Sequence, residues 1–347
     1  MKGFTTTALT LALVFAASSA PAARAKITPR AADPYVGAVV MRADDGKVLF
    51  AANADAACYP ASIVKLMMLL IVQEKIEQGA LRLSDKIAIT AQAAKTGGSQ
   101  VYLKEHEEFA VEDLLYALII QSANDAAVAL AVQIAGSADA FAQMMQEKAK
   151  ELGMTRTEFH SVHGLPPAAS QQPDVSTAND LAILARELLK HPDTLRYTST
   201  TVRPFRDGSF EMRSHNSLLS TCPGCDGLKT GYFSAGGYSI AATAVRKGVR
   251  LIAVVAGSKS KQKRDAKAQE LLSQAFSSLP SAPDAAAMVK APAEEKQPPG
   301  AEMERAREET ASTGGSWLSV ALKIVLRIIL YAAGAAVFFW LGRISRP

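Results

Sequence analysis

Three short motifs combine residue types that could carry out nucleophilic catalysis. They are Ser62-Ile63-Val64-Lys65, Ser122-Ala123-Asn124 and Lys229-Thr230-Gly231. A serine hydroxyl becomes a nucleophile when a neighbouring base removes its proton, and a lysine amine can be that base once its pKa is lowered. Each motif type occurs at least once more in the chain, so the surrounding sequence has to show which copies could react.

The surroundings of Ser62 and Lys65 distinguish this pair from the other Ser-x-x-Lys copies. An apolar stretch with helical periodicity follows Pro60-Ala61, and a spacing of three residues puts the hydroxyl and the amine on one helix face. The apolar neighbours predict that Lys65 is buried, which lowers the pKa of a lysine. The copies at 258/261 and 260/263 lie among Lys and Ser residues, where a lysine stays solvated. The alternative for Ser62 is a helix N-cap beside a snorkelling lysine.

The other two motifs have a structural and a functional interpretation each. Ser122 and Asn124 interrupt an apolar helical stretch, where polar groups are costly unless they bond something. They could form a turn between two helices, a reactive group, or both. Lys229 stands before a glycine that lets another backbone come close, and this arrangement suits a substrate carboxylate. The alternative is a lysine on the surface of a strand.

The pattern of elements around these motifs predicts an α+β fold. Strands are expected at 36–41 and 47–50, joined by a turn at 44–46, and at 237–245 and 249–256, joined by a turn at 247–248. A hairpin is expected at 198–213, turning at 206–208. Helices are expected at 61–78, 137–152, 176–190 and 261–276, and at 111–135 on both sides of a polar interruption. Strands at both ends with helices between them indicate one antiparallel sheet flanked by helices, with a helical subdomain. Residues 35–279 would form this domain.

The positive charge of the chain is concentrated at its two ends. The 347 residues carry a net charge of +5, yet 1–25 and 316–347 hold six bases and no acid, which leaves 32 bases and 33 acids in 26–315. The middle of the chain is therefore not a basic nucleic-acid-binding module. Residues 1–25 have the basic start, short apolar core and small-residue cleavage site of a signal peptide.

The C-terminal segment predicts attachment to a membrane. Residues 316–342 are strongly apolar, with Trp317 and Trp340 near the ends and Arg343 and Arg346 following. A single membrane helix is favoured, and an amphipathic helix lying in the interface is the alternative. Residues 280–315 are rich in Pro, Ala and Glu and are expected to be a disordered linker.

Two of the three cysteines predict a local disulfide. In Cys222-Pro223-Gly224-Cys225 the Pro-Gly pair fits the centre of a type II turn, which brings the flanking Cα atoms within disulfide range. Export would permit oxidation, so we expect a disulfide between Cys222 and Cys225. Cys58 is expected to be buried and free.

The order of the three motifs resembles that of the penicillin-recognising serine enzymes. Further similarity at residues 97–103, 122–130, 162–165 and 226–231 resembles the low-molecular-mass penicillin-binding proteins, the D-alanyl-D-alanine carboxypeptidases. The resemblance covers about residues 35–278. It implies a β-lactamase/D,D-peptidase-like fold and a serine carboxypeptidase that needs no metal or cofactor.

The resemblance also implies roles for individual residues. Ser62 would attack the carbonyl between the two terminal D-alanines of a peptidoglycan stem peptide, with Lys65 as base. Ser122 would relay a proton to the leaving D-alanine, and Asn124 would hold the acyl side chain and orient the lysine. Lys229 and Thr230 would bind the terminal carboxylate, and Gly231 would complete this substrate-binding motif. The backbone N–H groups of Ser62 and Tyr232 would form the oxyanion hole.

The implied setting is the cell envelope. The enzyme would act on the periplasmic face of the inner membrane, anchored at its C-terminus, and β-lactams would inhibit it. A D,D-endopeptidase of the same fold and a non-catalytic cell-wall binding module are the alternatives. Efficient β-lactam hydrolysis is not expected, because Glu158 is followed by Phe159-His160-Ser161-Val162 instead of the pattern of a class A β-lactamase.

Overall fold

One antiparallel sheet joins strands from the two ends of the described region. The computed structural model describes residues 30–167 and 171–279. The five strands of this sheet are β1 (Gly37–Arg42), β2 (Val48–Ala52), β7 (Cys225–Phe233), β8 (Gly237–Arg246) and β9 (Val249–Ser258). Their order is β2-β1-β9-β8-β7, and every neighbouring pair is antiparallel. The predicted sheet built from distant segments is confirmed.

The turns of the sheet follow from residues that tolerate a positive φ. Lys247 and Gly248 connect β8 to β9 with φ of 49° and 78°, the geometry that two-residue hairpins favour. Gly46 closes the first hairpin with φ of 74°. Both turns lie where the sequence predicts them.

Two smaller hairpins accompany the main sheet. β3 (Lys86–Ala88) pairs with β4 (Glu108–Ala110), and β5 (Val202–Phe205) pairs with β6 (Phe210–Arg213). The second hairpin turns at 206–208 as predicted, with positive φ at all three residues. The first was not predicted, because strands of three residues are too short to show a periodic pattern.

Helices fill the chain between the sheet strands and close the described region. They are α1 (Lys65–Glu77), α2 (Ala91–Ala94), α3 (Val111–Tyr116), α4 (Asn124–Ala135), α5 (Ala138–Glu151), α6 (Ala178–Leu188), α7 (Thr194–Thr198), α8 (Leu218–Thr221) and α9 (Lys261–Ser278). A 3₁₀ turn, Ala61–Val64, leads into α1, and a π-helical turn, Ala117–Gln121, follows α3. The long predicted helices are confirmed, whereas the short α2, α7 and α8 were not predicted.

Both faces of the sheet are covered by helices. Val39, Ile252 and Val254 belong to the larger core with α1 and α6, while Val40 and Val255 belong to a second core with α9. Successive residues of a strand point to opposite faces, so a sheet covered on both sides has continuous apolar strands. This arrangement buries α1 and with it the segment that follows Ser62.

The predictions for the two ends of the chain concern residues that the structure does not describe. The signal peptide (1–25), the linker (280–315) and the membrane anchor (316–342) all lie outside the described residues, so they stay predictions. Within residues 30–167 and 171–279, no single helix combines the length and hydropathy that a membrane crossing requires.

Candidate active site

The Ser62 hydroxyl and the Lys65 amine lie within hydrogen-bonding distance at the start of α1. Ser62 belongs to the 3₁₀ turn, and Lys65 is the first residue of the α-helix, with its Nζ 3.0 Å from the Ser62 Oγ. The same Nζ donates to the Asn124 Oδ1 at 2.7 Å and to the His163 carbonyl oxygen at 2.8 Å. A neutral amine has two N–H bonds and one lone pair, so these two acceptors leave the lone pair directed at the serine.

Burial and a second lysine lower the pKa of Lys65. The side chain is 0% exposed, as its apolar neighbours predict, and the snorkelling alternative is wrong. Loss of hydration is the largest cause of a pKa well below 10.5, and the charge of Lys229 adds to it. The buried carboxylates of Asp174 and Asp125 act in the opposite direction. A lysine in this setting can take a proton from a hydroxyl near neutral pH.

A break in the helical chain places Ser122 and Asn124. The π-helical turn ends at Ser122, whose φ and ψ of 60° and 33° are left-handed, and α4 begins two residues later. Left-handed backbone in a residue other than glycine costs about 1–3 kcal/mol and clusters at functional sites. The Asn124 side chain donates to the Gly97 carbonyl at 2.8 Å, and its backbone N–H donates to the Ser99 carbonyl at 2.7 Å. The turn between two helical segments is therefore present, and it brings Asn124 into contact with Lys65; the reactive role of Ser122 stays a prediction.

The Lys229-Thr230-Gly231 motif lies on the edge strand β7, directly beside the turn that carries Ser62. A Cβ atom at Gly231 would lie closer than 3.0 Å to the Pro60 carbonyl oxygen, a separation that real Cβ atoms do not show. Glycine is therefore needed for this close approach. Lys229 is 2% exposed, so the alternative of a lysine on the strand surface is wrong. Burial, with a contribution from Arg264, lowers the pKa of Lys229 to about 7.

A cleft of about 400 Å³ joins the three motifs. Its described lining contains basic side chains and no carboxylate, so the cleft favours an anionic ligand. Burial and the nearby Lys229 lower the pKa of His215 to about 4, which keeps this imidazole neutral at pH 7. The lining residues are Ser62, Gly98, Ser99, Ser122, Asn124, Gly164, Leu165, Pro166, His215, Thr230, Gly231, Tyr232, Tyr238, Lys261 and Arg264.

Tyr232 forms part of the rim of this cleft. Its side chain is 53% exposed, and its ring stacks on Tyr238 with centroids 4.2 Å apart. The role expected of its backbone N–H stays a prediction, while the stacked rings add an aromatic surface that the sequence did not predict.

Arg264 is a residue of the cleft that the sequence analysis missed. It lies in the first turn of α9, is 2% exposed, and donates through its Nε to Asp265 at 2.7 Å. The helical spacing could have predicted its burial. Ala268, Leu271 and Ala275 form the buried face of α9, and position 264 lies on the same face one turn earlier. A basic residue on the buried face of a helix N-terminus is unusual, since that end favours acids.

The cysteines correct one prediction and confirm another. Cys222 and Cys225 form the predicted turn, with a backbone hydrogen bond of 3.0 Å between them, but both are free thiols. Their sulfur atoms face different partners, since the Cys225 Sγ donates to the Gly227 carbonyl at 3.4 Å and the Cys222 Sγ lies 3.9 Å from the Arg246 guanidinium. The disulfide expectation is not met in the structure. Cys58 is buried and free as predicted.

The sequence matches one family over most of its described length. Residues 27–260 match Peptidase_S11, the D-alanyl-D-alanine carboxypeptidases. D-alanyl-D-alanine carboxypeptidase DacF of Bacillus subtilis is 37% identical over 268 residues, which are 76% of this chain and 68% of that protein. DacC of Escherichia coli, another D-alanyl-D-alanine carboxypeptidase, is 35% identical, and the aligned region spans 69% of this chain and 60% of DacC.

Solved structures show the same fold. Penicillin-binding protein D2 of Listeria monocytogenes, in its ampicillin-bound form, is 33% identical with a TM-score of 0.64, and the match covers 70% of this chain and 98% of that one. D-alanyl-D-alanine carboxypeptidase DacD of Francisella tularensis is 30% identical with a TM-score of 0.65, over 74% of each chain.

Proposed function

Because the chain belongs to the D-alanyl-D-alanine carboxypeptidase family, we propose that it removes the terminal D-alanine from peptidoglycan stem pentapeptides. One observation carries the proposal: the Lys65 Nζ lies 3.0 Å from the Ser62 Oγ beside a cleft with a basic lining. The reaction is acyl transfer through a serine ester, and β-lactams inhibit the enzyme by acylating the same serine. The ampicillin-bound form of the Listeria protein supports this inhibition.

The acylation step uses the hydrogen-bonded pair at the start of α1. The neutral Lys65 amine takes the hydroxyl proton while the Ser62 Oγ forms a bond to the carbonyl carbon between the two terminal D-alanines. The C–N bond then breaks, and the leaving amine receives a proton from Lys65 through the Ser122 hydroxyl. D-alanine departs, and the remaining peptide is held as an ester on Ser62.

Water completes the cycle. It attacks the ester carbonyl and its proton passes to Lys65; the bond from the carbonyl carbon to the Ser62 oxygen then breaks, and Lys65 returns the proton to that oxygen, which leaves as a hydroxyl. In both steps the carbonyl oxygen gains negative charge, which the backbone N–H groups of Ser62 and Tyr232 stabilise. Donors of this kind contribute about 3–4 kcal/mol each.

The basic end of the cleft binds the terminal carboxylate of the substrate. Lys229 and Arg264 supply positive charge there, and the Thr230 hydroxyl supplies a neutral donor. Both charged groups are almost fully buried. Water screens a buried charge weakly, so a carboxylate is bound more strongly here than at the surface. The site therefore selects peptides with a free C-terminus.

We predict that Arg264→Gln lowers the preference for a free C-terminal carboxylate over a carboxamide at least tenfold. A hydrogen bond to a charged group contributes about 1.5–3 kcal/mol, which corresponds to roughly a tenfold effect or more. The measurement is kcat/KM for D-alanine release from a pentapeptide, compared with kcat/KM for cleavage of the same peptide ending in a carboxamide. Arg250→Gln is the matched control, since Arg250 pairs with Asp226 and does not line the cleft. An unchanged ratio in Arg264→Gln would contradict the carboxylate assignment.

The selectivity is also expected to depend on pH. Lys229 has a pKa of about 7, so it is protonated below that pH and loses its attraction for a carboxylate above it. The ratio of kcat/KM for the free-acid peptide to that for the carboxamide should therefore fall as pH rises through about 7. Arg264 stays charged and maintains part of the ratio. A ratio that is constant from pH 6 to pH 9 would show that Lys229 does not bind the carboxylate.

The cellular setting follows from the ends of the sequence. We infer export through the signal peptide and attachment by residues 316–342 to the periplasmic face of the inner membrane. The support is the apolar C-terminal segment, with basic residues inside and after it, and the near-neutral charge of the middle of the chain. Membrane fractionation of the full chain and of a chain ending at residue 315 tests the attachment; equal recovery in the soluble fraction would refute it.

A further inference from the structure

A buried carboxylate outside the three motifs ties down a loop beside the candidate active site. Asp174 is 5% exposed. Its Oδ1 accepts hydrogen bonds from the backbone N–H groups of His160 and Ser161, at 2.6 and 2.9 Å. Its Oδ2 accepts a hydrogen bond of 2.6 Å from the Ser161 hydroxyl. Three donors on one carboxylate fix both the acid and the loop.

The Ser161 hydroxyl links Asp174 to the next part of the loop, at Gly164. Its Oγ accepts a hydrogen bond of 2.9 Å from the Gly164 N–H, so its own proton points to Asp174. Gly164 has a φ of +76°, and a Cβ there would lie closer than 3.0 Å to the Ala61 carbonyl. The loop therefore rests directly against the turn that carries Ser62.

The carbonyl oxygen of His163 brings the loop to the reacting groups. It accepts the 2.8 Å hydrogen bond from the Lys65 Nζ. Of the three oxygen atoms around that nitrogen, this one comes from outside the Ser-x-x-Lys, Ser-x-Asn and Lys-Thr-Gly motifs. The His163 ring is tied as well, because its Nδ1 accepts a hydrogen bond of 3.1 Å from the Leu165 N–H.

We propose that Asp174 is a positioning residue for Lys65, acting through Ser161 to fix the loop whose His163 carbonyl receives the hydrogen bond of the lysine. The inference rests on the proposed function, since it concerns how the base of that reaction is held. With the carbonyl fixed, one N–H of the neutral amine is occupied and the lone pair faces Ser62. With the carbonyl displaced, the amine can turn an N–H toward the nucleophile instead.

Asp174 has an electrostatic effect on the same lysine. Its negative charge raises the pKa of Lys65, opposing the larger decrease from burial and from Lys229, and Asp125 acts in the same direction as Asp174. His163 faces this lysine as well and stays neutral at pH 7, since burial lowers its pKa to about 4. Acylation needs a neutral Lys65, so its rate decreases when the pH falls through the pKa of that lysine. Removing the charge of Asp174 moves this decrease to lower pH.

Two variants separate the positioning effect from the charge effect. Ser161→Ala removes the link between Asp174 and Gly164 and keeps the carboxylate, while Asp174→Asn removes the charge and keeps a side chain of the same shape. Asp180→Asn is the matched control, because Asp180 is also a buried carboxylate but bonds Thr157 and the Arg156 N–H. Acylation by a fluorescent penicillin is measured at saturating concentration from pH 5 to pH 10, together with thermal unfolding.

We expect Ser161→Ala to lower the plateau acylation rate about tenfold without moving the pH at which the rate decreases. Ser161→Thr, which restores the hydroxyl, is expected to recover the rate. Asp174→Asn is expected to move the decrease to lower pH, and Asp180→Asn to leave rate and pH profile unchanged. A wild-type plateau rate in a folded Ser161→Ala variant would overturn the proposal, because the link from Asp174 to the loop runs through Ser161. If Ser161→Ala does not fold, the plateau rate of Asp174→Asn decides instead: an amide accepts through one oxygen, so the three donors around Asp174 are no longer all satisfied and the plateau should fall. Failure of the wild type to be labelled would instead refute the proposed function.

Discussion

Replacing Ser62 with alanine is expected to abolish covalent labelling of the protein by a fluorescent penicillin. The Ser62 Oγ is the hydroxyl that the buried Lys65 amine contacts, at 3.0 Å, within the cleft that joins the three motifs. Removing the nucleophile of a serine hydrolase reduces turnover by roughly four to six orders of magnitude. Release of D-alanine from a pentapeptide should decrease to the same extent, because both reactions pass through the same ester.

The chain contains a matched control for this substitution. Ser260 belongs to a second Ser-x-x-Lys sequence, yet in the structure its hydroxyl caps α9 and accepts from the Lys263 N–H. Ser260→Ala should lower the stability by about 1 kcal/mol, the value of a helix cap, and leave labelling intact. Labelling that survives in Ser62→Ala would show that another residue is the nucleophile.

Lys65→Arg is expected to reduce acylation by about 10²–10⁴-fold, the contribution of a general base. Arginine keeps roughly the length of the side chain but carries a permanent positive charge, because it does not release its proton at any accessible pH. The substitution therefore tests whether Lys65 acts as a base or as a charge. Stopped-flow acylation by a chromogenic cephalosporin, combined with a thermal-unfolding check, measures the effect.

Lys263→Arg is the control for the second prediction. Lys263 is the lysine of the Ser-x-x-Lys sequence that begins at Ser260. Its side chain is 52% exposed and pairs with Asp33 at 2.6 Å. An exposed lysine paired with a carboxylate does not act as a base, so this variant should acylate at the wild-type rate. Equal rates for Lys65→Arg and the wild type would mean that the lysine serves only as a charge, and the proton acceptor would have to be sought elsewhere.

The sequence predicted those features that depend on local pattern. The burial of Lys65 followed from the apolar residues around it, and the close approach at Gly231 followed from a glycine after Lys229-Thr230. The antiparallel sheet followed from strands at both ends of the domain. The physical cause of the first two features, namely hydrophobic periodicity and the absence of a side chain, acts within a few residues. For the sheet, the strands themselves are visible in the local pattern, and their position at both ends of the domain indicates how they pair.

Other features depend on contacts between distant segments and could not be predicted in this way. The His163 carbonyl that holds Lys65 is a backbone atom 98 residues away, so no residue type marks it. The left-handed conformation of Ser122 is imposed by the break between two helical segments. The Cys222–Cys225 turn was predicted correctly, but the direction of each sulfur is set by Gly227 and Arg246, which lie on β7 and β8.

The two glycines that flank the Ser62 turn limit which substitutions the site can tolerate. Gly231 abuts the Pro60 carbonyl on one side, and Gly164 abuts the Ala61 carbonyl on the other. A single added methyl group at either position would have to push the turn away by up to about 1 Å, and a misplacement of that size can cost a hundredfold in rate. The position of the nucleophile thus depends on two residues that have no side chain. A glycine-to-alanine substitution at either one can inactivate the enzyme although every reactive group is still present.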